Sequence, residues 1–102
     1  MSAKEEVLEG YIVDTICLRK YPQDELLPRA RAHTVACGLN GHCIESGYGL
    51  VDDQGRPWLL DPAATPLVVA ELQRIGSGTG VRMRVKREMT GDEMETVHVE
   101  AA

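Results

Sequence analysis

The chain has no phenylalanine, one tryptophan and three tyrosines among its 102 residues. A core without aromatics must be packed from Val, Leu, Ile, Met and Ala. Little is left for stacking on bases or on ring cofactors. Positive charge is also in deficit, with 11 Lys and Arg against 16 Asp and Glu and a net charge of −5. That argues against a nonspecific binder of nucleic acid or of an anionic membrane, which needs clustered cations. No stretch approaches the roughly 20 apolar residues of a membrane span. The start, M-S-A-K-E-E-V-L-E-G, has no apolar secretory segment, so a cytoplasmic protein is expected. A C-x-x-C pair is missing too, which removes the usual zinc-finger spacing.

What is present suits one small domain over residues 1–102, with residues 1–6 as a polar, flexible leader. Val7 to Leu18 reads as a strand rich in Val, Ile and Tyr, with Gly10 marking a bend or bulge. Pro22 is placed to open a short helix. A second helix is expected from Pro28, ending at Gly38. Asn40-Gly41 signals a turn, and Cys43 to Ser46 a further helical turn closed by Gly47. Tyr48–Val51 and Pro57–Leu60 form a hairpin about Asp52-Asp53-Gln54-Gly55.

A helix follows, with Thr65 as N-cap, Pro66 as its first residue, an apolar stripe through Leu67, Val68, Ala70, Leu72 and Ile75, and Gly76 as its stop. Gly76-Ser-Gly-Thr-Gly80 resembles a phosphate loop only in composition. It follows a helix, precedes a strand and lacks the Lys-Ser/Thr pair. Val81–Met89 and Met94–Glu100 are the last two strands. Arg82, Arg84 and Lys86 alternate with Val81, Met83 and Val85, which is the wet face of a half-buried strand. Five strands with a helix between the third and fourth predict a mainly β fold with one or two short helices, laid out as a small OB-like Greek-key barrel.

The chemistry is concentrated between His33 and Gly47, H-T-V-A-C-G-L-N-G-H-C-I-E-S-G, which holds Cys37, Cys43, His33 and His42. Cys17 stands at the end of the first strand-like run. Three cysteines in a reducing compartment point to metal binding, redox work or burial rather than to a disulfide framework. Thiolate and imidazole together select zinc, copper(I) or iron. Cys17, His33, Cys37 and Cys43 make one Cys₃His set, with His42 as the alternative to His33. If one helix carries His33 and Cys37, they lie a turn apart on one face. Asp14 is expected to orient a ligand.

Asp14-x-x-Cys17, His33, Cys37, Cys43-x-x-x-Gly47, V-D-D-Q-G-R-P-W-L-L and G-V-R-M-R-V-K together resemble an uncharacterised family of small bacterial β-barrel proteins. That family has a D-x-x-C, an H-x-x-C, a further Cys with Gly four residues on, and a Gly-containing hairpin. The resemblance implies a metal or redox role for Cys17, His33, Cys37 and Cys43. The chain departs from it in a longer gap between Cys37 and Cys43, and in Tyr48 where Pro often follows the glycine.

These readings converge on a zinc-binding module, with an iron–sulfur cluster or copper as the other cofactors. Two other activities are compatible with the same residues. One is a thiol redox or sensor protein using Cys37 and Cys43. The other is a metal-dependent enzyme with an open coordination position and Glu45 or Asp14 as base. An OB-type binding module is disfavoured by acidity and scarce aromatics. Neither nucleic acid nor membrane is expected as a partner. A protein or small-molecule partner and an oligomer stay open.

Overall fold

The computed structural model describes residues 5–102. In chain order it contains β1 (Glu5–Asp14), α1 (Thr15–Lys20), α2 (Gln23–Ala32), α3 (Val35–Gly38) and α4 (Gly41–Ser46). Then come β2 (Tyr48–Val51), β3 (Pro57–Leu59), α5 (Ala64–Ile75), β4 (Arg82–Thr90) and β5 (Glu93–Ala101). All five strands belong to one antiparallel sheet, ordered β3-β2-β1-β4-β5. The first four residues of the expected leader lie outside the described residues. Glu5 and Glu6 already pair with Glu88 and Arg87, so β1 starts before Val7.

Two expectations change. The fold is not mainly β, because helix and strand are nearly equal at 39% and 38%. The sheet is open rather than a closed barrel, since β3 and β5 are its two edges. Side chains, not a strand ladder, span the gap at one point. Asp61, two residues beyond β3, accepts from the Thr96 amide at 2.9 Å and from the Thr96 hydroxyl at 2.6 Å. β5 is an edge strand, and its register slips beside this contact: Lys86 pairs with His98, but Arg87 pairs with Thr96.

The period-2 rule sorts β1 onto two faces. Leu8 and Ile12 join Leu50, Met83, Val85 and Val99 in the main core, against Ala64, Val68 and Leu72 of α5. Val13 and Val51 face the other way, onto Leu26 and Ala30 of α2. Burying each Val, Leu or Met side chain contributes about 1.5–3 kcal/mol before chain entropy is charged against it. Gly10 marks a close approach rather than a bulge, for a Cβ there would stand 2.5 Å from the Val51 carbonyl oxygen.

The wet face of β4 is as expected, and its cations are partnered. Arg82 meets Asp53, Arg84 meets Glu9 and Glu100, and Lys86 meets Glu5. Among the described residues no helix is long and apolar enough to cross a membrane.

Candidate metal centre

The first strand ends where an acid stops it. Asp14 keeps extended angles and accepts the Cys17 amide at 3.2 Å, so it is the N-cap of α1. The expected strand to Leu18 is therefore cut at Asp14, and Cys17 lies in the first turn of a helix. Thr34 does the same for α3, accepting the Cys37 amide at 2.9 Å. Asn40 caps α4 through the His42 amide, with Cys43 three residues on. Each cysteine thus follows its helix cap by three residues.

The expected helix from Pro28 to Gly38 is broken. Pro28 sits inside α2, which runs on to Ala32. His33 and Thr34 are extended because the glycine-rich connector pairs with them. The Gly80 amide donates to the His33 carbonyl, the Val35 amide donates to the Gly78 carbonyl, and Thr34 bridges Thr79. His33 and Cys37 consequently reach the site from different elements, not from one helical face. Gly47, with φ of 86°, turns the chain from α4 into β2. There the buried Tyr48 hydroxyl donates to the Gly38 carbonyl. The Thr15 hydroxyl ties α1 to the Ser46 carbonyl at the end of α4.

These short helices crowd round the end of β1. Asp14 lies at the centre with its side chain 1% exposed. His33, its side chain 8% exposed, places Nε2 at 3.1 Å from Asp14 Oδ1. Asp14, Cys17 and His33 offer ligand atoms all within 4.8 Å of one another. Asp14, Cys37 and Cys43 do so as well. The four residues expected from the sequence therefore surround Asp14. Cys43 is buried, Cys17 half-buried and Cys37 exposed. His42, the alternative to His33, is exposed and joins neither group, and Glu45 is exposed on α4.

Burial opposes ionisation of Asp14, but hydrogen bonds from Cys17 and His33 outweigh it and hold the carboxyl below its ordinary range. An ionised carboxylate only accepts, so His33 Nε2 carries the proton between them. The thiols go the other way. Burial, reinforced by Asp14 and the neighbouring thiols, pushes Cys17 and Cys43 up to about 12. A first-turn cysteine ordinarily gains thiolate character. Here desolvation and the acid win, so both thiols keep their protons at neutral pH.

The N-cap-x-x-Cys arrangement at Asp14, Thr34 and Asn40 is a signal readable from the residues, and it would have placed the cysteines on helix starts. The chain matches no family model, no curated protein and no solved structure.

Proposed function

We propose that this chain is a small metal-binding protein whose ion, zinc by default, is held by Cys17, His33, Cys37 and Cys43 around Asp14. The observation that supports it is convergence. Soft ligands from α1, α3, α4 and the α2–α3 link meet at one buried carboxylate. Sulfur with imidazole suits zinc, copper(I) or iron, and zinc asks no redox chemistry of the site. The resemblance at Asp14–Cys17 and His33–Gly47 to small bacterial Cys/His proteins belongs to the same reading. Bound zinc would fix the short helices, since its ligands come from segments too brief to be stable alone.

A thiol-redox reading has one observation behind it, an exposed Cys37 grouped with Cys43. It is the weaker of the two, because a Cys43 thiol held protonated to about 12 is a poor nucleophile at neutral pH.

The test is elemental analysis of protein purified without chelator, beside a Cys17→Ser/Cys37→Ser double variant and His42→Ala. The reading expects tightly bound zinc in the parent and in His42→Ala, and its loss from the double variant. A parent with no more metal than the double variant would refute it.

A further inference from the structure

We infer that the site takes two divalent cations, with the Asp14 carboxylate shared between them. One would be bound by Cys17 and His33, the other by Cys37 and Cys43. This rests on the metal-binding reading above and differs from it in the number of ions.

The ligand atoms form two groups of three within 4.8 Å, and among the described residues the groups share Asp14 alone. They do not merge into one set at that distance. Four ligands of a single tetrahedral zinc stand closer, at roughly 3.3–3.8 Å from each other for bonds of about 2.0–2.3 Å. Gathering all three sulfurs and the imidazole on one ion therefore requires side chains to move. Filling each group separately requires less. The Nε2 to Oδ1 separation of 3.1 Å is already near the edge of such a tetrahedron, so these two atoms stand close enough to share one ion. Asp14 has two oxygens with different surroundings: Oδ1 faces His33, and Oδ2 accepts the Cys17 amide.

Room for a fourth ligand exists on both sides. The Cys17–His33 half borders a cavity of about 20 Å³, enough for a single water, walled by Val13, Leu18, Leu26 and Val51. The other half reaches solvent through the exposed Cys37. Three protein ligands and one open position is the arrangement of reactive rather than sealed zinc sites.

The experiment titrates metal-free, reduced full-length chain with Zn²⁺ against a competing chelator and counts bound ions by native mass spectrometry. Saturation at two ions per chain is expected. Cys17→Ser and Cys37→Ser should each retain one ion, because each leaves the opposite group whole. Saturation of the parent at one ion overturns this inference and leaves the metal-binding reading standing. So does loss of all metal from either single variant when the parent holds metal. No binding by the parent overturns both.

Discussion

The Gly80 amide donates to the His33 carbonyl across 3.0 Å, so a connector far along the chain fixes the backbone of a candidate ligand. Gly80 has φ of +58°, and a Cβ there would lie 2.7 Å from the Arg31 carbonyl oxygen. Gly80→Ala should therefore destabilise the fold by about 1–3 kcal/mol through backbone strain, and weaken zinc binding with it. Gly41→Ala is the contrasting change. It begins α4, and a Cβ there meets nothing within 4 Å. That variant should gain about 0.4–1 kcal/mol from the lost freedom of the unfolded chain. Chemical denaturation of both variants checks the pair.

Asp14→Asn keeps the size of the side chain and removes its charge. The neutral amide remains a fair cap for α1. It can no longer neutralise a cation, and its amide end has no acceptor if it faces the His33 proton. Zinc affinity should fall about 10–100-fold, as when a ligand's supporting carboxylate is lost. Competition with a chelating dye measures it. Affinity equal to the parent's would remove Asp14 from the account.

The metal-free protein should lose stability in alkali. Cys17 and Cys43 rise from an ordinary 9.0 to about 12, so the folded chain holds these protons more tightly than the unfolded chain does. Their contribution is complete below the unfolded pKa and disappears as pH climbs from about 9 towards 12. Tyr48, buried and also pushed up to about 12, acts in the same direction. Asp14 has the opposite sign: its carboxyl is lowered, so its contribution is lost as pH falls below its ordinary 3.8. Melting curves across pH should show both limbs for the metal-free form. Zinc should flatten the alkaline limb, because coordinated thiols are already deprotonated.

Asp61→Ala should cost about 2–4 kcal/mol, since it strips charged acceptors from the Thr96 amide and hydroxyl, and Thr96 is buried. The carboxylate joins the β5 edge to the segment after β3, remote in sequence from every candidate ligand. Zinc per chain should stay unchanged. The melting temperature and metal content of the one variant check both statements.

The strand after Gly80 was legible because apolar and polar residues alternate from Arg82 to Lys86, and the Tyr48–Val51 strand because it is a short apolar run bounded by turn residues. Tyr48–Val51 and the stop of α5 at Gly76 stand where the residues predict them, but α5 begins at Ala64 with Ala63 as its cap, so Thr65 and Pro66 lie inside the first turn rather than at its N-cap and first position. Of the short helices around the site, the turn over Cys43–Ser46 closed by Gly47 was foreseen from its glycine stop, but the helices at Thr15–Lys20 and Val35–Gly38 were not, because no periodicity fits in 4 or 6 residues. Their caps decide them, and a cap is a single side chain. The barrel expectation failed at its closure. Strand count and order within hairpins can be read along a chain, but whether β3 meets β5 depends on twist and on the helices packed against each face. Cys17, His33, Cys37 and Cys43 stood out as rare soft ligands. That they divide about Asp14 depends on where His33 is pinned, and the pinning residue is a glycine some fifty positions away.

X-ray absorption at the zinc edge of the loaded protein reads the ion's first shell directly. Zinc held by the cysteines and His33 should show sulfur neighbours at about 2.3 Å together with nitrogen or oxygen at about 2.0–2.1 Å. A shell of light atoms alone would contradict it, for the zinc would then be on the acidic surface and not among the cysteines.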